Sequence, residues 1–218
     1  MKPSRVLLIA ILGTAAMYIG SFAVLGDSFP TINSTGEEVI AWFTANARAA
    51  QTYAWCAAFI SLGLCIVGGQ VGALLPRTHA YIFLGGMFGW AVTAQVQAWF
   101  WAALAFRPAE LSSAAAAVVF DIPAYWGPLV NGFSAAMSIP FVVLGLGSSS
   151  LVPRWVGWLS LIFFVEQSIE TITVFGQTGF LAPGGAMNLY VGGVIGYVWF
   201  GGVIRWAMKE LDAQAVAA

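Results

Sequence analysis

The chain has 218 residues, of which 60% are hydrophobic, 15% aromatic and only 8% charged, with a net charge of −1. Soluble domains carry roughly 25% charged residues, so this composition excludes a soluble globular protein, and its apolar content excludes a disordered one. A pI of about 5.7 with no basic patch argues against a nucleic-acid partner.

The mean hydropathy of +0.86 and the length of the apolar runs make lipid the solvent for most of the surface. Six stretches of about 20 apolar residues can be drawn, at about 5–26, 52–75, 80–106, 124–147, 155–176 and 188–208. They do not alternate polar with apolar as barrel strands would. The expected fold is therefore all-α: a polytopic membrane bundle of six transmembrane helices forming a single domain over 1–218. Its breaks are Gly26-Asp27, Pro76-Arg77, Arg107-Pro108, Ser148-Ser149-Ser150 and Ala182-Pro183-Gly184-Gly185.

The chain opens on Met1-Lys2-Pro3-Ser4-Arg5 and an apolar run to Leu25. That run is long enough to span a bilayer and lacks a clear small-x-small cleavage site, so it reads as a retained first helix rather than a leader. The first outer connection, Asp27 to Gln51, carries Ser34-Thr35-Gly36-Glu37 ahead of Val39, Ile40, Trp42 and Phe43. A capping box opening there predicts a short helix on the outer face between spans 1 and 2. The second, Arg107 to Pro123, forms another outer helix or extends span 4.

Lys2, Arg5, Arg77, Arg154, Arg205 and Lys209 fall at one side of the bundle, against Arg48 and Arg107 at the other. The excess predicts both termini in the cytoplasm. Trp42, Trp55, Trp99, Trp101, Trp126, Trp155 and Trp206 lie near span ends and are expected as interfacial anchors. Gly68-xxx-Gly72, Gly85-xxx-Gly89 and Gly192-xxx-Gly196 place small residues on one helix face, either for packing within the chain or for docking a second copy or another membrane protein. Leu75-Pro76-Arg77 and Val152-Pro153-Arg154 suggest a duplicated hairpin.

Cys56 and Cys65 share one apolar segment, about 13 Å apart along a helix, and cannot pair there. The single histidine, His79, lies in a short polar turn. No metal site and no cofactor is expected.

Acidic residues inside the spans are the informative feature, because each costs a few kcal/mol or more in hydrocarbon unless neutral, paired or hydrated. Glu166 and Glu170 are four apart in span 5, about 6 Å along the axis on one face, in a stripe widened by Gln167, Thr171 and Thr173. Thr93 and Gln97 of span 3, Asn131, Ser134 and Ser138 of span 4, and Thr14 and Tyr18 of span 1 offer polar partners, and Gln95 points elsewhere. Asp121 and Tyr125 are four apart at the outer end of span 4. Together these predict a polar pocket that opens outward or laterally and is walled by Trp90, Phe100, Trp126, Phe163 and Tyr197. Two carboxyls this close in low dielectric share a proton rather than both ionising, which suits acid–base chemistry and proton-coupled transport alike. The plainer alternative is that both are packing residues bonded to Gln97 or Asn131. No Ser-His-Asp, Cys-His or phosphate-cradling pattern is present, which disfavours covalent hydrolysis and nucleotide chemistry.

Three stretches carry a resemblance: Glu37-Glu38-Val39-Ile40-Ala41-Trp42-Phe43, Val152-Pro153-Arg154-Trp155-Val156-Gly157-Trp158 and Ala182-Pro183-Gly184-Gly185. On these the chain resembles a broad group of actinobacterial multi-pass, six-helix membrane proteins of unknown function. The resemblance implies a multi-pass protein of the bacterial cytoplasmic (inner) membrane and brings no catalytic residue with it. The fifth span of that group is often plainer, so Glu166 and Glu170 look like a departure.

The reading that best fits these residues is an intramembrane pocket for a lipophilic molecule such as a terpenoid, sterol or lipid-like compound. As an enzyme it would be an isomerase, cyclase or lyase (the last by hydration chemistry). Glu166 or Glu170 would be the acid, the other its partner and Asp121 a second base. Gln97 and Asn131 would orient the ligand, with Thr93, Ser134, Tyr18, Tyr125 and Trp126 lining the site. The alternatives are an accessory subunit docked through its glycine faces and a small proton-coupled transporter.

Overall fold

The computed structural model describes residues 2–25 and 29–217. The Gly26-Asp27 break lies outside the described residues. Within them the regular structure is helical throughout. Eight α-helices follow in order: α1 (Pro3–Leu25), α2 (Gly36–Ala45), α3 (Ala47–Gly72), α4 (Arg77–Phe106), α5 (Ser113–Ala124), α6 (Trp126–Leu146), α7 (Arg154–Glu170) and α8 (Gly193–Ala217).

Five helical segments are long and apolar enough to cross a membrane: Pro3–Leu25, Ala47–Gly72, Ser113–Leu146, Arg154–Phe175 and Met187–Ala217. They make this a membrane protein. The third expected span is α4, 30 residues long, and it falls outside that set. Its Thr93, Gln95 and Gln97 dilute an otherwise apolar helix. It nonetheless occupies the middle of the bundle, packed between α3 and α6.

Hairpin after hairpin brings alternate helix ends together. At one end Leu7, Leu75, Leu144, Val152 and Leu211 meet in a single buried cluster, which joins the start of α1, the α3–α4 and α6–α7 turns and the end of α8. The two Pro-Arg turns at this end have near-identical backbones at the proline: φ −56°, ψ 145° at Pro76 and φ −60°, ψ 144° at Pro153. An extended proline directly before a helical arginine sets the start of α4 and of α7 in the same way.

The opposite end has its own core. Val39 and Phe43 of α2, Tyr53 of α3, Trp101 of α4 and Phe120 of α5 pack together with Leu25, and Trp101 meets Trp42, Phe43, Tyr53 and Phe120 ring to ring. This cap contains the short helix expected from the first outer connection. Its register differs from expectation by one residue. Thr35, not Ser34, is the N-cap: Glu38 N donates to Thr35 Oγ1 (3.3 Å) and Thr35 N donates to Glu38 Oε2 (2.7 Å). Ser34 Oγ instead accepts from Thr31 N (3.0 Å), which closes the preceding turn.

Both readings of the second connection are met in part. After a single turn of 3₁₀-helix (Pro108–Glu110), α5 forms and runs almost directly into α6, with a break at Tyr125. Pro123 and Pro128 flank that break, and each removes a backbone donor from the ladder. A straight Ser113–Leu146 helix would be about 50 Å long, well beyond the ~30 Å of a hydrocarbon core. The bend lets α5 fold over α2 and α4 instead. The carbonyl of Ser113 fills the space where a Gly36 side chain would stand, so the starts of α2 and α5 abut. The Ser113 hydroxyl beside Glu37 holds that carboxyl below its ordinary range. Its small contribution to stability is present above the ordinary carboxylate range and lost as pH falls through the lowered value.

Two tryptophans expected at the interface are in the core. Trp206 donates from Nε1 to the Leu151 carbonyl (3.2 Å), and Trp101 centres the cap. Trp55, Trp99 and Trp155 do face outward. Most of the expected interface glycines pack inside the chain. Gly68 and Gly72 face Leu84, and Gly86 with Gly89, rather than Gly85 with Gly89, admits Phe133 and Met137 of α6. At the crossing of Gly145 of α6 on Gly157 of α7, a Cβ at 145 would lie 2.7 Å from the Gly157 Cα. Backbone cannot swing away as a side chain can.

Gly145→Ala should therefore lower stability by about 1–3 kcal/mol through overpacking, whereas Gly85→Ala, with nothing within 4 Å, should be neutral or stabilising by up to about 1 kcal/mol. Thermal unfolding in detergent reads both. By the same assay Thr35→Ala should cost about 0.5–2 kcal/mol as a lost N-cap, and Ser34→Ala distinctly less.

Candidate functional site

Span 5 ends in a change of helix type. α7 stops at Glu170 and tightens into a 3₁₀ turn, Thr171–Phe175. Residues three apart eclipse one another in a 3₁₀-helix, so Thr173 lies beneath Glu170 and returns its Oγ1–H to the Glu170 carbonyl (2.8 Å). The last helix begins with the opposite distortion, a π-helical turn at Met187–Gly192. The Asn188 side chain of the second turn reaches Thr173 of the first, and α6 packs against the first.

Glu170 is 2% exposed at that junction. Its Oε2 accepts from Gln167 Nε2 (2.9 Å), and its Oε1 accepts a short hydrogen bond from Asn188 Nδ2. Asn188 also donates to Thr173 Oγ1 (3.4 Å) and accepts at Oδ1 from Gly184 N (3.0 Å). Asn188 and Gly192 bracket the carboxyl. The missing side chain of Gly192 leaves the space that Oε2 occupies, and Gly127 of α6 lies against the back of Asn188. Asn131 faces the same carboxyl from α6, and its Nδ2 is buried without a hydrogen-bond partner among the described residues.

Glu166 belongs to the same network but has a different setting. Gln167 Nε2 donates its second hydrogen to Glu166 Oε2 (2.8 Å), so one amide joins the two carboxyls. The other oxygen, Oε1, is buried with no partner among the described residues. Glu166 lines an open groove of about 490 Å³ on the flank of the bundle, formed by Trp158, Leu161, Ile162, Val165, Ile169 and Met187. Most of these groove residues are exposed on the outward face of α7, the face that meets lipid in a membrane.

The structure thus brings together Glu166, Glu170 and Asn131. The other expected lining groups are engaged elsewhere. Gln97 accepts from the Tyr53 hydroxyl (2.8 Å) and donates to the Pro123 carbonyl (3.5 Å), inside the capped end. Thr93 returns its hydroxyl to Gly89 O (2.5 Å), Ser134 to Val130 O (3.4 Å) and Ser138 to Ala135 O (2.7 Å), all within their own helices. Gln95 reaches α3, where it donates to Ala57 O and Ser61 Oγ. Phe163 is a core residue stacked on Trp199 at 4.4 Å, and Trp90 meets Trp126 edge-on at 5.6 Å. Tyr18 and Tyr197 meet at 6.2 Å, with Tyr197 largely exposed. Phe100, Asp121 and Tyr125 are half-buried, Asp121 and Tyr125 at the α5–α6 bend. Among the described residues, no side-chain hydrogen bond ties Asp121 to the two glutamates.

Asn188 is the residue that sequence reasoning missed. It opens the last span as its one amide, and a lone Asn at a span start between Pro183-Gly184-Gly185 and Gly192 was the available signal. No grouping of three or more His, Cys, Asp or Glu suited to a metal ion occurs among the described residues. Comparison with protein families, with curated proteins and with solved structures finds no match to this chain.

Removing the Asn188 amide strands both the Glu170 oxygen and the Gly184 N–H. Asn188→Ala should lower stability by about 1–3 kcal/mol, and Asn188→Asp by more, since it sets a second carboxyl against Glu170. Detergent unfolding curves check the order.

Proposed function

We propose that this protein binds a lipophilic small molecule that enters sideways from the bilayer, and converts it by acid–base chemistry at Glu166. In this reading α4 completes a set of six spans, and both termini face the cytoplasm of a bacterial inner membrane. The distribution of Lys and Arg, six against two, supports that orientation.

One observation carries the reading. Glu166 lines a groove otherwise walled by hydrocarbon, and one of its carboxyl oxygens is buried with no partner among the described residues. An unsatisfied buried oxygen costs about 1–3 kcal/mol, which a ligand hydroxyl, amine or carbonyl in the groove would offset. The groove suits a flat or branched apolar body such as a terpenoid, a sterol or a lipid tail. In an isomerisation or cyclisation the Glu166 carboxyl delivers a proton to the ligand and the resulting carboxylate takes a proton back from the cation, so the step requires no further reactant. Glu166 is the group placed to touch the ligand. Gln167 and Glu170 position it from behind, and Asn188 holds Glu170.

Packing speaks against the accessory-subunit alternative in its simplest form. Of the glycines that would dock a partner, Gly68 and Gly72 meet Leu84, Gly89 meets Phe133, Gly192 meets Glu170 and Gly196 meets Phe163 of the same chain, and Gly85 alone is open.

Native mass spectrometry and solvent extraction of the purified protein should show a hydrophobic compound that is not bulk phospholipid. Glu166→Gln should weaken its retention about tenfold, the worth of one strong hydrogen bond, and Ile169→Trp should exclude it by filling the groove. Equal retention by Glu166→Gln, or release of bulk phospholipid alone by the wild type, overturns the reading.

A further inference from the structure

A second surface lies at the other end of the bundle, on α8. Val194, Val198, Gly201, Arg205, Lys209 and Asp212 recur at helical spacing and so share one face. Read toward the C-terminus, that face is apolar, then cationic, then anionic. Val194 and Val198 are exposed, and nothing lies within 4 Å of where a Gly201 side chain would be. From Gly201 a groove of about 420 Å³ runs to Asp212, floored by Ile204 and Met208 and flanked by Arg205 and Lys209. Asp212 Oδ1 is buried at its end, with no hydrogen-bond partner among the described residues.

The order of chemistry along this stripe is the order within a membrane phospholipid read from its tails outward. We propose that the α8 groove binds one phosphoethanolamine lipid, with an acyl chain on Val194, Val198 and Gly201, the phosphate between Arg205 and Lys209, and the ammonium on Asp212. Each part answers a specific feature. The bare Gly201 backbone opens a slot where a chain can lie close to the helix. Arg205 and Lys209 are one turn apart, with the exposed, flexible reach that phosphate contacts at a membrane interface need. The unpartnered Asp212 oxygen needs an N–H donor and a positive charge. A primary ammonium supplies both, and a trimethylated choline supplies only the charge. Lys209 and Asp212 are about 4.5 Å apart along the axis, within the span of one headgroup.

This site is independent of the Glu166 groove, and the two are tested separately. The full-length protein is placed in nanodiscs of equal phosphatidylethanolamine, phosphatidylglycerol and phosphatidylcholine, extracted into detergent, and its retained lipids are counted by native mass spectrometry. Phosphatidylethanolamine should be retained about tenfold over phosphatidylcholine, as expected for one charge-assisted hydrogen bond. Asp212→Asn should erase that preference while leaving total phospholipid retention intact. Arg205→Gln with Lys209→Gln should reduce retention of every phospholipid. Equal retention of ethanolamine and choline lipids by the wild type overturns the proposal, as does preference for the glycerol lipid. Asp212→Asn with undiminished preference overturns it as well. An unfolding curve of Asp212→Asn that matches the wild type in lipid-free detergent separates loss of the headgroup contact from loss of the fold.

Discussion

Hydrocarbon offers no hydrogen bonds, and the arrangement of this bundle follows from that constraint. A polar group carried into a span must find its partner within the protein or be left at a cost of several kcal/mol. Most of the chain meets the demand locally. The hydroxyls of Thr14, Thr93, Ser134 and Ser138 return to carbonyls one turn back in their own helices. Gln95, Gln97 and Glu170 cannot, because their polar ends lie too far from their own backbone. Each is met from another element: Gln95 from α3, Gln97 from Tyr53 and the α5–α6 bend, and Glu170 from the π turn that opens the last span. These three links add directional bonds between elements that are otherwise held by apolar packing.

The irregular turns serve the third link. A regular helix through 171–175 would carry Thr173 about 60° away from Glu170, whereas the 3₁₀ turn brings it beneath. Asn188 can then reach the carboxylate and the hydroxyl at once. On the facing side, the wider π turn sets Asn188 and Gly192 on either side of the same carboxyl. Both segments depart from regular helix where a buried acid has to be met from two directions, and the glycines at 127 and 192 make the approach sterically open.

Helix existence and most boundaries are legible in the sequence, because a 20-residue apolar run has few alternatives in lipid. The expected start of span 3 at 80 and the observed Arg77 differ by three residues, and the span 4 limits 124–147 match Trp126–Leu146 closely. The acids in span 5 are equally plain. Their partners are not. A 3.6-residue period shows which residues share a face of one helix, but it does not show which face of a neighbour comes opposite. Depth alone places Gln97 with the glutamates, and Tyr53, a half-polar residue in an apolar run, gives no sign that it claims that amide. The capping box is visible, but two adjacent hydroxyl residues, Ser34 and Thr35, and two adjacent glutamates, Glu37 and Glu38, fit the pattern in either register. The turn at Thr31 decides between them.

The difference between the two glutamates follows from helix geometry. Four residues at 100° each amount to one turn and a further 40°, so Glu166 and Glu170 lie on one face without pointing in one direction. That offset is enough to put Glu170 under α6 and the last span, with both oxygens held by amides, and to leave Glu166 at the seam beside exposed Ile162 and Ile169. Gln167, the next residue in sequence, faces inward and bridges them with the two hydrogens of one nitrogen. One amide therefore links Glu166 to Glu170, and Asn188 links Glu170 in turn to the Gly184 backbone ahead of the last span. The same chain of contacts that keeps a buried acid satisfied connects the lipid-facing groove to the irregular end of the bundle.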